Sequence, residues 1–279
     1  MLSNTNKIPV AMSGLPGPMA LAVAEKAEAA EDVHLLSVGL TGPDCGGDFD
    51  VKTNRVTLYT PDEQDIFLKC FRAHEGSIVI DYSHPSAVLP NAKFYTDNKI
   101  PFILGTTGGD YSEVENLVVS SGTPAIVAPN MALPIVALTA MLDWAKGEFP
   151  GVFDDYSLSV HESHQKGKAD TSGTAKALIS LIQGLGADFT ESDLNMCRDP
   201  EEQKKKLGIP DEYIAGHAYH TYDIHSKDRT AHFSLGHNIL GRSIYAEGTL
   251  FAVRFLQERL AAPVTRSYTM IDVLKNLKG

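Results

Sequence analysis

The sequence predicts an α/β protein in two parts: a Rossmann-like dinucleotide-binding domain, and an α+β domain with an open mixed sheet. Three observations carry this. Short apolar runs alternate with helical stretches from residue 7 to residue 128, the pattern of a parallel sheet covered on both faces. A turn rich in glycine and proline, Ser13-Gly14-Leu15-Pro16-Gly17-Pro18-Met19-Ala20, follows the first apolar run and opens the first helical one, as at the start of a dinucleotide-binding fold. After residue 130 the alternation gives way to strand-like stretches that follow one another.

Taken in order, residues 7–13 read as a strand, 20–30 as a helix and 33–40 as a second strand ending at Thr41-Gly42-Pro43. Residues 56–59 are a weak strand, and 61–74 a helix with Pro61 near its start. Three strands, 77–82, 100–104 and 124–128, then alternate with helices at 85–98 and 110–121. Residues 132–146 read as a long helix with Pro134 in its first turn, where the missing N–H is harmless. A strand over 156–164 and a helix over 172–185 follow. Residues 214–224 and 230–237 pair as a hairpin through Ser226-Lys227-Asp228-Arg229, and 242–260 forms a helix returning to the first domain. The predicted division is 1–131 with 242–279 for the dinucleotide domain, and 132–241 for the substrate-binding and oligomerisation domain.

The chain of 279 residues carries a formal charge of −11. Its only basic block is Lys204-Lys205-Lys206, read as a solvated helix face, so neither nucleic acid nor an anionic membrane is an expected partner. Cys45, Cys70 and Cys197 are scattered and odd in number, so neither a disulfide framework nor a metal site is expected. No run is long enough for a membrane span. Residues 1–9 are polar and lack a signal-peptide core. Cytoplasm is the expected compartment, or a plastid if a transit peptide has been removed.

In the glycine turn, Pro16 and Ala20 replace the second and third glycines of the usual fingerprint. Prolines lack an N–H, which leaves Leu15, Gly17, Met19 and Ala20 as donors to a pyrophosphate beside Gly14. The second strand ends without the acidic residue that binds NAD ribose hydroxyls; Thr41 stands there. This favours NADPH, with NADH possible. Loops at Ser83, at Gly105-Thr106-Thr107 and at Pro129-Asn130 fall at the carboxyl ends of later strands, where open parallel sheets bind ligands.

The stretch 161–175, His-Glu-Ser-His-Gln-Lys-Gly-Lys-Ala-Asp-Thr-Ser-Gly-Thr-Ala, is a strand end running into a capped helix start. A polar loop before a capped helix explains it. So does a site that joins a proton donor and a fixed cation to a helix N-terminus able to hold an anion. If the strand persists through His164, Glu162 shares its face and could orient it, while His161 and Ser163 point away.

Glu162-Ser163-His164, Lys168-Ala169-Asp170 and Ser172-Gly173-Thr174-Ala175 together resemble the signature of dihydrodipicolinate reductases, in the shorter form of the plant-type branch. Asp81-Tyr82-Ser83-His84-Pro85, Gly105-Thr106-Thr107-Gly108, Pro129-Asn130 and the segment 237–248 extend the resemblance along the chain. It implies reduction of a cyclic imine dicarboxylate with NADPH or NADH, in lysine and diaminopimelate biosynthesis, by a homodimer or homotetramer. It further implies that His164 donates a proton or acts electrostatically and that Lys168 binds or protonates the substrate. Ser172, Gly173 and Thr174 would hold a carboxylate; Gly105, Thr107 and Asn130 would surround the nicotinamide. Two residues depart from the pattern: Gln165 stands in place of a second histidine, and Pro18 in place of a cation near the phosphates. The competing readings are another two-domain NAD(P) oxidoreductase and a non-catalytic NADP-binding sensor.

Overall fold

The computed structural model describes residues 7–277; most of the polar N-terminal stretch considered above lies outside the described residues. The chain divides into two compact units. Residues up to Leu133 join with those from Ser243 onward, and Pro134–Arg242 forms the other.

The first unit is built on a seven-stranded sheet. Its strands are β1 (Ile8–Ser13), β2 (Val33–Leu40), β3 (Gly47–Val51), β4 (Asn54–Tyr59), β5 (Ile78–Asp81), β6 (Phe102–Leu104) and β7 (Ala125–Val127), in spatial order β3-β4-β2-β1-β5-β6-β7. All neighbours are parallel except β3, which pairs antiparallel with β4 at the edge. Residues 47–51 gave no strand signal because their composition, Gly-Asp-Phe-Asp-Val, is polar and mostly exposed. The sheet order reverses beside β1, whose neighbours are β2 and β5. That switch point is where such sheets open a crevice at the carboxyl ends of their strands.

Helices α1 (Pro18–Ala29), α2 (Gln64–Phe71), α3 (Val88–Asp97) and α4 (Tyr111–Ser121) connect the strands. The stretches expected as helices at 61–74 and 85–98 each begin with a short 3-10 turn, where Pro61 and Pro85 sit. Asp110 caps α4, accepting from the Glu113 N–H at 3.1 Å. Phe67, Phe71, Tyr95 and Phe102 pack with Val79, Val114 and Val118 in the core on one face of the sheet. The helix expected at 242–260 is α8 (Ser243–Gln257). It belongs to the first unit and packs on α1. Gly248 lets it approach the Met131 carbonyl, which an added Cβ would meet at 1.7 Å. A short α9 (Met270–Lys275) ends the unit.

The second unit begins with α5 (Leu133–Glu148) and carries a four-stranded sheet in order β11-β10-β8-β9. Its strands are β8 (Tyr156–His164), β9 (Leu194–Cys197), β10 (His217–Ser226) and β11 (His232–Leu240). β10 pairs antiparallel with both β8 and β11, and β9 runs parallel to β8, so the sheet is mixed. Helix α6 (Gly173–Gly184) lays Leu178, Ile179 and Ile182 on Leu158, Val160, Tyr222 and Ile224. The lysine triplet lies in the last turn of α7 (Pro200–Leu207), where cations oppose the helix dipole favourably.

Candidate active site

In the first unit, the loops expected to hold a cofactor emerge from the carboxyl ends of β1, β2, β5, β6 and β7. Gly14 has φ +103°, and a Cβ there would meet the Tyr82 carbonyl oxygen at 2.3 Å. The glycine therefore lets the loop after β1 touch the loop after β5. The Gly17 N–H, expected to serve an anion, donates to the Gly14 carbonyl at 2.8 Å and closes the turn. That leaves Leu15 and, in the first turn of α1, Met19 and Ala20 of the expected donors. Thr41 donates its hydroxyl to the Leu15 carbonyl at 2.5 Å, tying the end of β2 to the glycine turn.

Asp81, fully buried at the end of β5, organises the neighbouring loops. Its carboxyl group accepts from the Ser83 N–H at 2.8 Å, the Asn91 amide at 2.9 Å, the Tyr95 hydroxyl at 2.7 Å and the Thr106 hydroxyl at 3.2 Å. Ser83 and Thr106 thus hold the loops together through Asp81. Gly105 is required by packing: a Cβ would lie 2.4 Å from the Tyr82 ring. Thr107 is exposed beside it. Asn130, following Pro129, accepts the Ala132 N–H at 2.9 Å. The glycine turn, the crevice beside β1 and the non-acidic end of β2 fit a nicotinamide dinucleotide.

In the second unit, β8 does persist through His164, so Leu158, Val160, Glu162 and His164 share the face covered by α6. His161 and Ser163 face the other way, into a cavity of about 660 Å³ lined also by Cys197, Lys206, Tyr219 and Thr221. Glu162 is buried, yet it does not orient His164 directly, since their nearest atoms are 4.0 Å apart. Its Oε1 is bonded to Arg198, and its Oε2 accepts the Ser172 N–H at 2.9 Å and lies 3.4 Å from His220 Nε2. Burial alone would raise the Glu162 pKa; the bonds from His220, Ser172 and Arg198 outweigh it and hold the group well below the usual carboxylate range.

His164 is held by the His217 backbone carbonyl, 3.2 Å from its Nδ1. An acceptor there fixes the proton on Nδ1 and leaves a lone pair on Nε2. That Nε2 lies 3.3 Å from His220 Nε2. Burial, then the neighbouring His220, push the His164 pKa down to about 4. His237, opposite His220 across the β10–β11 pair, is likewise pushed down to about 4, by burial first and then by His220 and His164.

Lys168 lies in the loop before α6, its ammonium 3.1 Å from Asp170 Oδ1. Arg198 clamps this loop, donating from Nε to the Lys168 carbonyl at 2.7 Å and from Nη2 to the Asp170 carbonyl at 3.5 Å. Ser172 is the N-cap of α6, its Oγ accepting the Ala175 N–H at 3.0 Å and standing 2.9 Å from His220 Nε2. With the Ser172 N–H directed at Glu162, an anion at this helix start falls to the N–H groups that follow. Gly173, the first residue of α6, has open space where a Cβ would stand.

His220, Arg198, His217 and Gln203 were not singled out in the sequence. His220 reaches the site because it faces Glu162 in the β8–β10 register. Gln203, fully buried, donates to the His164 carbonyl at 2.7 Å from α7. The available signal was the row of histidines at 217, 220 and 237 in the predicted hairpin.

Comparison with known proteins agrees across both units. Residues 8–131 match the family model described as dihydrodipicolinate reductase, N-terminus, and residues 137–274 its C-terminus. The chain is 40% identical over 273 residues to 4-hydroxy-tetrahydrodipicolinate reductase 1, chloroplastic, of Arabidopsis thaliana, covering 97% of this chain and 78% of that protein. It is 25% identical over 293 residues to the 4-hydroxy-tetrahydrodipicolinate reductase of a Picosynechococcus strain, covering 99% and 100%. A dipicolinate-bound dihydrodipicolinate reductase from Paenisporosarcina sp. TG-14 has the same fold, with a TM-score of 0.63 at 18% identity over 94% of this chain and 97% of that one. With both halves of the family model matched in order, the chain belongs to the dihydrodipicolinate reductase family of oxidoreductases.

Proposed function

We propose that this chain reduces 4-hydroxy-tetrahydrodipicolinate, by way of dihydrodipicolinate, to tetrahydrodipicolinate in lysine and diaminopimelate biosynthesis. The observation that carries the reading is the clamped stretch from Glu162 to Thr174, in which a cation, an imidazole and a helix start are supplied for a dicarboxylate in a protein of net charge −11. A bound nicotinamide dinucleotide supplies the hydride. The substrate must also gain one proton, and Lys168 is the side chain that can both pair with a carboxylate and deliver it. His164, neutral and with both ring nitrogens engaged by His217 and His220, acts as an electrostatic partner of the ring rather than as its proton donor. Gly173 and Thr174 hold a substrate carboxylate at the helix start, and Ser172 supports them as the cap.

NADPH is the favoured cofactor and NADH a tolerated one. The Thr41 end of β2 puts no carboxylate against a 2′-phosphate. The cavity beyond it is lined by Asp44 and Glu63 with no lysine or arginine, which works against that phosphate and keeps NADH as the tolerated alternative. The substrate unit serves assembly as a homodimer or homotetramer through its open sheet face, which light scattering of the purified chain would read. Among the described residues no helix is long and apolar enough to cross a membrane. The chloroplastic names of two Arabidopsis relatives support a plastid as the alternative to cytoplasm.

The test follows NADPH absorbance with freshly made 4-hydroxy-tetrahydrodipicolinate. Oxidation that depends on substrate supports the reading; cofactor binding without oxidation overturns it in favour of a sensor. Lys168→Ala is expected to lower turnover at least 100-fold while the NADPH dissociation constant stays within about twofold.

A further inference from the structure

Glu162, His164 and His220 bring three metal-ligating atoms together in the buried interior of the second unit. His164 Nε2 and His220 Nε2 are 3.3 Å apart, His220 Nε2 and Glu162 Oε2 3.4 Å, and His164 Nε2 and Glu162 Oε2 4.0 Å. We propose that these atoms form a binding site for a divalent transition-metal ion of the zinc class. A point equidistant from all three lies about 2.1 Å from each, the length of a bond from zinc to imidazole nitrogen or carboxylate oxygen.

The ring geometry agrees with the atom distances. Two imidazoles sharing an ion at that distance, with nitrogens 3.3 Å apart, place their ring centres about 5 Å from each other. The His164 and His220 centres are 5.0 Å apart, with ring planes at 69°. His164 and Glu162 have outer contacts of the kind that prepare ligands, while His220 Nδ1 has no hydrogen-bond partner among the described residues. The His217 carbonyl directs the His164 lone pair inward from Nε2. Arg198 bonds to Glu162 Oε1 and leaves Oε2 as the inward oxygen, steadied by the Ser172 N–H. An ion would replace the proton shared between the two facing imidazole nitrogens. His237 lies beside the cluster, its ring centre 4.6 Å from that of His220, and both its ring nitrogens lack a hydrogen-bond partner among the described residues.

The donor set of two nitrogens and one oxygen selects zinc, nickel, cobalt or copper over magnesium or calcium. Arg198 already neutralises Glu162, so binding is reversible rather than structural. No spacing motif shows the site, because His220 is 56 residues beyond His164 and meets it only through strand register. The consequence for activity rests on the proposed role of His164: an ion on its Nε2 occupies that side chain and inhibits the reductase.

The experiment titrates the EDTA-dialysed full chain with Co²⁺ and reads its visible ligand-field absorption. One equivalent with the intense band of four-coordinate cobalt, displaced by Zn²⁺, is expected. His220→Gln and, as a second variant, His164→Gln should each weaken binding at least tenfold, with near-UV circular dichroism confirming the fold. Absence of the band at a hundredfold excess of Co²⁺, or unchanged affinity in both variants, overturns the site. In the parallel NADPH assay, Zn²⁺ should inhibit and EDTA restore activity. A cobalt band without inhibition supports the site and refutes the role of His164.

Discussion

His164 and His237 are held neutral well below the ordinary imidazole range, both near a pKa of about 4. An unfolded histidine titrates at about 6.5. Between those values the unfolded chain takes up protons that the folded chain refuses, so stability falls as the pH drops through that window. Glu162 acts at lower pH: its depressed pKa contributes stability above about 4.5 that is lost as the pH falls further. The urea midpoint is therefore expected to fall between about pH 7 and about pH 4.5, and His237→Phe should flatten that fall. A midpoint that rises on acidification would contradict buried neutral imidazoles. Arg198 gives a second test at this scale. Its Nε engages the Lys168 carbonyl while its Nη2 engages the Glu162 carboxylate and the Asp170 carbonyl, a planar fork that lysine cannot reproduce. Arg198→Lys should lower turnover by about 10–100-fold through misplacement of Lys168, leaving cofactor affinity unchanged. Loss of cofactor affinity in equal measure would refute the positioning role.

Two glycines at the ends of elements separate structural from functional demands. Gly105 follows β6 against the Tyr82 ring, so Gly105→Ala should lower the melting temperature and cofactor affinity together. Gly173 begins α6 with open space above it, so Gly173→Ala should leave the melting temperature unchanged or raised while the substrate KM rises. Both KM and melting temperature unmoved would remove Gly173 from the substrate site. The elements of the first unit were legible where apolar runs alternate with helices, and the cap of α6 was legible from local chemistry as Thr171 or Ser172, of which the structure uses Ser172. β3 and β9 were not, and α7 only as the helix face of its lysine triplet, because polar or short segments acquire their structure from neighbours rather than from periodicity. The donor and loop around Lys168 could be read from one continuous stretch. Arg198 and His220 could not, because strand register and the chain segment after β9 bring them in from afar.

At the scale of the whole molecule, the first unit is closed by α8. Arg254 meets Asp32 through two bonds of 2.6 and 2.9 Å, but both side chains are well exposed. Such a pair contributes about 0–1 kcal/mol. The buried face of α8, including Leu250, Val253 and Leu256, carries the closure instead. Arg254→Ala should thus shift stability by less than about 1 kcal/mol. Gly248→Ala should destabilise by more, since its methyl group would overlap the Met131 carbonyl. Chemical denaturation of both variants ranks them; the reverse order would assign the closure to the ion pair.

The return of α8 also sets an order of events at the ribosome. Pro134–Arg242 is one continuous segment, whereas the unit made first lacks a helix that is synthesised only after residue 242. The later segment can therefore complete its core while the earlier one still exposes the α1 surface that α8 covers. Ribosome-bound chains that end at residue 242 and are carried clear of the exit tunnel by an unrelated linker should resist protease across 134–242 and be cut within 7–133.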